Sequence, residues 1–149
     1  MAADAFKHLC RWLVSFAVLL LAGCSDSPVE EVIKTNIDNL AAAIEEKRPD
    51  DALDLIHDNF VSEKGQDKQW VKRTLIFHTI RHANIDLLLT NISVEQKDQQ
   101  TATAEFHAIA TGGQGLFPDE GSAYKVTTEW RLDGDWQLVY AKWKKALQN

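Results

Sequence analysis

Residues Thr101 to Thr111 read T-A-T-A-E-F-H-A-I-A-T, and this alternation puts Ala102, Ala104, Phe106, Ala108 and Ala110 on one side of an extended chain and mostly polar residues on the other. The period is that of a half-buried β-strand. Upstream the period is different: Val29, Val32, Ile33, Ile37, Leu40, Ala41 and Ile44 recur at helical spacing. A chain whose period switches from helical to extended near residue 85, helices first and strands afterward, is expected to be an α+β protein with its helices packed on an antiparallel sheet.

The helical half resolves into three segments. Ser27-Pro28-Val29-Glu30 combines a capping residue, proline at the first helical position and a Glu three places on, which predicts a helix that runs until Glu45-Glu46-Lys47-Arg48-Pro49. Asp50 or Asp51 can cap a second, short helix carrying Leu53, Leu55 and Ile56, with Phe60-Val61 as an apolar plug after it. Gly65 marks a loop, and from Asp67 a third helix is expected, with Trp70, Val71, Leu75, Phe77 and Ile80 as its apolar positions and its end near His82 and Asn84.

Four strands follow in this reading. Ile85 to Val94 forms a long strand that is bent or bulged, because Leu87, Leu88 and Leu89 break the alternation. Thr101–Thr111 is the second, Tyr124–Arg131 the third and Asp135–Trp143 the fourth, with the glycine-containing segment 112–121 as a loop. A three-residue Leu132-Asp133-Gly134 turn with Gly134 left-handed keeps the apolar residues on one face. It pairs Trp130 with Trp136, Thr128 with Leu138 and Val126 with Tyr140, and sets Arg131 opposite Asp135.

The first 23 residues have another character. Lys7 and Arg11 precede an apolar run from Trp12 to Ala22, which is roughly 16 Å long as a helix against about 30 Å of bilayer core. The order of charge and apolar run is that of a signal peptide. Leu21-Ala22-Gly23-Cys24 closes the run and resembles the lipobox of bacterial lipoproteins. The resemblance implies lipid on the Cys24 sulfur and cleavage before it; with the first helix starting at Pro28, 24–27 is left as a short tether and 28–149 is expected as one folded domain. Ser25, where an inner-membrane retention signal has Asp, points to the outer membrane of a Gram-negative cell, with the domain facing the periplasm. Cys10 leaves with the signal, so neither of the chain's two cysteines remains for a disulfide, a metal or a nucleophile.

The capped first helix, the ALDLIHDNF segment of Ala52 to Phe60, the third helix and the closing EWRLDGDWQLVYAKW of Glu129 to Trp143 together resemble the nuclear transport factor 2-like superfamily, which includes the SnoaL-like proteins. The resemblance covers about Pro28 to Leu147 and implies a cone of helices on a curved antiparallel sheet. Because that superfamily holds isomerases, dehydratases, cyclases and many binding modules, it leaves activity open.

Active members place acid and base groups inside the cone, so the inward phase carries the functional expectation. It reads as alanines with Phe106, then Tyr124, Val126, Thr128 and Trp130, then Trp136, Leu138 and Tyr140, and holds no carboxylate. Glu105, His107, Lys125, Glu129 and Arg131 fall on the opposite phase, where they can pair across strands in water. The expectation is therefore a non-catalytic binding domain without a cofactor. Either the core is filled, or Tyr124, Thr128, Trp130, Tyr140 and His78 wall a site for a small, mostly apolar ligand. The rival reading is an acid-base isomerase, lyase or hydrolase using Asp86, His78 and Tyr140. His78 and His82 have the spacing of a metal pair, but no third ligand is evident and no metal is expected.

Ile109, Val139, Ala141 and Trp143 fall on the outward phase as an apolar stripe, which invites a homodimer or an envelope protein partner unless the C-terminal residues cover it. A third reading makes this stripe the working surface of an envelope assembly factor. Nucleic acid is excluded as a partner: the formal net charge is -6, opposite to what phosphate neutralisation needs.

Overall fold

The computed structural model describes residues 28–81, 84–111 and 123–146. The segment expected to be a signal, Cys24, His82 and the expected loop of 112–121 lie outside them. In chain order the elements are α1 (Pro28–Glu45), α2 (Pro49–Asp54), β1 (Ile56–Ser62), α3 (Lys68–Ile80), β2 (Asp86–Gln96), β3 (Thr101–Thr111), β4 (Ala123–Asp133) and β5 (Asp135–Lys145). The α+β class and the layering of helices on a sheet agree with the sequence reading.

The sheet has five strands rather than four, in the order β1-β5-β4-β3-β2. β1 was expected as the end of a short helix and a plug. Instead α2 stops at Asp54, and the next residues pair in parallel with β5, Ile56 opposite Leu138 and Ser62 opposite Ala141. The sheet is therefore mixed. What overrides the local helical pattern is the free edge of β5: the Leu138 N–H donates to the Leu55 carbonyl at 2.9 Å. Nor do Asp50 or Asp51 cap α2. Arg48 occupies the cap position, Pro49 opens the helix, and both aspartates sit in the first turn, where Arg48 pairs with Asp51.

Two helix ends explain how the layers are set. Lys47 adopts a left-handed backbone, φ 58°, so that its N–H and that of Arg48 reach back to the carbonyls of Ile44 and Ala43 at 3.3 and 2.8 Å and stop α1. Asp67 caps α3, its carboxylate accepting from Trp70 N–H at 2.7 Å. α1 is tied down at its middle and at its C-terminal end: Asn36 Nδ2 donates to the Trp136 carbonyl at 3.0 Å, and Glu45 accepts from Leu87 N–H at 2.6 Å.

Curvature comes from two interruptions of the ladder. In β2 the register shifts between Thr90 and Ser93, at Asn91 with φ 57°, so the bulge expected for this strand sits past the leucine run. In the β4–β5 pair Trp130 faces Leu138 but Glu129 faces Tyr140, which leaves Val139 as an extra residue. Gly134 is left-handed as expected, φ 75°, but the hairpin closes as Asp133 opposite Asp135 and Leu132 opposite Trp136, with Arg131 facing Gln137. The pairs expected from a three-residue turn do not form.

That extra residue corrects the phase of everything after it. Ala141 pairs with Thr128 and Trp143 with Val126, both inward residues, while Tyr140 pairs with the exposed Glu129. Ala141 and Trp143 thus join the core and Tyr140 leaves it, the reverse of the sequence expectation. The remaining inward residues stand as expected: Ala102, Ala104, Phe106, Ala108, Tyr124, Val126, Thr128, Trp130, Trp136 and Leu138 are all buried.

Candidate functional site

Between the helices and the concave face of the sheet lies a cavity of about 190 Å³. Its floor is β3 and β4, through Phe106, Ala108, Val126, Thr128 and Trp130. Its roof is the C-terminal half of α1, Ile37 to Ile44, and one face of α3, Trp70, Val71, Thr74 and Leu75. The sides are Leu87 and Leu89 of β2 and, opposite them, Phe60, Leu138 and Trp143. On β3 the floor is built by Phe106 and the small Ala108, whose methyl group fills little of the height below the helices.

Four polar side chains of this wall, Thr128, Trp130, Ser62 and Gln66, bond within the protein. Trp130 Nε1–H donates to the Thr128 hydroxyl at 3.0 Å, and that hydroxyl donates to the Ala104 carbonyl at 3.3 Å. Ser62 Oγ donates to Gln66 Oε1 at 2.8 Å and accepts the backbone N–H of Gln66 at 3.1 Å. Among the described residues no Asp, Glu, His, Lys, Arg, Cys or Tyr side chain lines the cavity. The site can desolvate an apolar body, and the wall itself offers no group that titrates.

Of the five residues expected to bind ligand, Thr128 and Trp130 line the cavity. Tyr124 is buried on the inward phase of β4 but is not part of the lining. Tyr140 is turned outward by the Val139 bulge. His78 is buried on α3, yet it faces a separate crevice of about 10 Å³ with Ala43, Leu75 and Ile85. Burial, reinforced by the Arg81 guanidinium, holds the His78 imidazole below its ordinary value of 6.5. Asp86 is exposed and alternates with the inward Leu87 and Leu89. Asp86, His78 and Tyr140 therefore do not converge. No group of three metal-ligating side chains occurs among the described residues.

The outer face carries the charges expected there. Glu105 pairs with Lys125 at 3.0 Å and accepts from Thr127 at 3.3 Å, and these contacts, Lys125 first, hold its carboxyl below the usual range. Of the expected outer stripe only Ile109 and Val139 remain, both half-buried. Exposed large apolar side chains occur instead at Ile76, Phe77 and Ile80 of α3, with Arg81 stacked 4.4 Å from the Phe77 ring, and singly at Val32 of α1, Val61 of β1 and Leu88 of β2. Counting in steps of three and four from Val71 through Leu75 to His78 finds the buried face of α3. Phe77 and Ile80 fall off it.

Solved structures place this architecture. An NTF2-like protein from Cytophaga hutchinsonii superposes with a TM-score of 0.64 at 15% identity, over 78% of this chain and 97% of that one. The fold is NTF2-like. A second NTF2-like protein, of unknown function, from Pseudomonas putida gives 0.66 at 15% identity, over 83% and 90% of the two chains. A candidate scytalone dehydratase from Novosphingobium aromaticivorans gives 0.58 at 12% identity, over 78% and 83%. The NTF2-like fold thus spans proteins with and without an assigned reaction. No family model and no curated protein matches the sequence.

Proposed function

We propose that this protein is an envelope lipoprotein, tethered by lipid on Cys24 to the outer membrane and facing the periplasm, whose NTF2-like cone binds a small apolar molecule without transforming it. The observation that carries the binding half is the cavity lining. General acid-base catalysis requires a group whose proton affinity is tuned near the working pH, and the polar groups of the described lining are hydroxyl, amide and indole groups, which do not titrate there. An apolar cavity of about 150 Å³ in another protein holds benzene, so about 190 Å³ suits a body slightly larger than one aromatic ring.

The anchoring half rests on Leu21-Ala22-Gly23-Cys24 behind a charged and apolar leader. Ser25, Asp26 and Ser27 alone separate Cys24 from α1, a reach of roughly 10 Å when extended, which would hold the cone against the bilayer surface.

Metabolic labelling with an alkynyl fatty acid tests the tether: the native protein should be labelled and Cys24→Ala should not. An unlabelled native protein ends that half of the reading. For the cone, single-ring ligands such as toluene should raise the melting temperature of the purified protein in a concentration-dependent way. Turnover of such a ligand, or the lack of any shift at millimolar concentration, overturns the binding half.

A further inference from the structure

The cavity wall is apolar, but a positive charge stands against one of the rings that form it. Lys64, in the loop between β1 and α3, holds Nζ 5.6 Å from the centroid of the Trp143 ring, and that ring lines the cavity. The loop is fixed to β5 by the Glu63 N–H, which donates to the Ala141 carbonyl at 2.9 Å. Among the described residues no salt bridge involves Lys64, whereas Lys68, a turn further on, is committed to Asp58 at 2.9 Å.

A second donor lies two residues further along the same loop. Gln66 lines the cavity, and its carbonyl oxygen is taken by the Ser62 hydroxyl at 2.8 Å. The same hydroxyl accepts the backbone N–H of Lys64 at 3.3 Å. With its oxygen end fixed, the Gln66 side chain has its Nε2 end, which carries two N–H donors, left to offer.

We propose that the occupant of the cavity is an amphipathic monocarboxylate, its apolar body under α1 and α3 and its carboxylate at the rim, ion-paired with Lys64 and accepting from Gln66 Nε2. This rests on the reading of the cavity as a ligand site and adds the chemical class of the ligand. An all-carbon cavity selects by volume alone, and a few convergent polar groups supply orientation. An ammonium over an indole face is already attracted to the ring, and a carboxylate arriving there gains a charge-assisted bond at the edge of a low-dielectric wall. The carboxylate also stays at the rim, since carrying it unpaired into the apolar interior is costly.

The test uses two ligands with one body, 3-phenylpropionate and 3-phenylpropanol, titrated into the full-length chain in nanodiscs, with empty nanodiscs as blank. Trp70, Trp130 and Trp143 line the cavity, so intrinsic tryptophan fluorescence reports occupancy. The carboxylate should bind about fivefold or more tighter than the alcohol at low salt. Lys64→Gln should bring the two together with alcohol affinity unchanged, and Lys64→Arg should keep the preference. Equal affinities in the unmodified protein, or a preference that survives Lys64→Gln, overturn the carboxylate assignment and leave the apolar site standing. Failure of both ligands to bind overturns the assignment and the site together.

Discussion

Trp130 donates its indole N–H to the hydroxyl of Thr128 at 3.0 Å, two residues apart on the inner face of β4. Because Thr128 in turn donates to the Ala104 carbonyl on the neighbouring strand, this stretch of the floor shows the cavity mostly carbon. Thr128→Val preserves shape and removes the acceptor, which leaves a buried indole N–H and the Ala104 carbonyl without their bonds. The expected cost is about 1–3 kcal/mol, seen as a lower urea midpoint at unchanged slope. Thr128→Ser keeps the hydroxyl and should lose only about 1 kcal/mol, for one methyl group. A Thr128→Val protein as stable as the parent would mean that the bond contributes nothing net.

The alanines of β3 should respond in opposite ways to the same enlargement. Ala104 is fully buried beside Thr128 and outside the cavity lining, whereas Ala108 faces the void. Ala104→Leu overpacks the core and should cost about 1–3 kcal/mol. Ala108→Leu extends into empty space, should change stability by no more than about 1 kcal/mol, and should abolish the thermal shift produced by single-ring ligands. Equal destabilisation by both would mean that the space above Ala108 is not available to a side chain.

These contrasts also show what the sequence could and could not reveal. The alternation over Thr101–Thr111 was readable because β3 is central, paired on both sides and with the extra residue of the β2–β3 ladder on β2 rather than on itself, so one period persists for eleven residues. α1 was readable because capping chemistry and spacing agree. β5 was not readable past Leu138, since one unpaired residue, Val139, inverts every later side chain and leaves no local mark: Val139 is as strand-prone as its neighbours. Trp143 was missed as part of the cavity wall for that reason. β1 was missed because its partner lies about 80 residues away and its backbone bonds, not its side-chain pattern, decide its conformation. Lys64 and Gln66 belong to a loop whose position depends on both errors, so their approach to Trp143 could not be read before β5 was in register.

The bulge makes a direct prediction about the two aromatic residues of β5. Trp143 packs on the core and lines the cavity, opposite Val126, while Tyr140 lies on the outer phase opposite Glu129. Trp143→Ala should cost roughly 3 kcal/mol, the lower end for truncating a large core aromatic because the ring is only half-buried. Tyr140→Ser should stay within about 1 kcal/mol of the parent. Thermal denaturation of the two variants decides it, and the reverse ranking would place Tyr140 inside and remove the bulge from β5.

His78 gives the fold a pH dependence whose sign is fixed by its surroundings. Its imidazole is buried on α3, and burial, with Arg81 adding to it, lowers the folded-state value below the ordinary 6.5. Above about 6.5 the ring is neutral in folded and unfolded chains alike, and the contribution to stability is complete. As the pH falls through that value the unfolded chain takes up a proton that the folded chain still refuses, so stability drops until the folded value is reached. One group limits the slope to about 1.4 kcal/mol per pH unit. Urea midpoints of the parent and of His78→Leu, compared at about pH 7.5, 6 and 5, should therefore diverge on acidification, with the variant losing less. Parallel curves at all three would mean that His78 takes up its proton as readily in the folded protein as in the unfolded one.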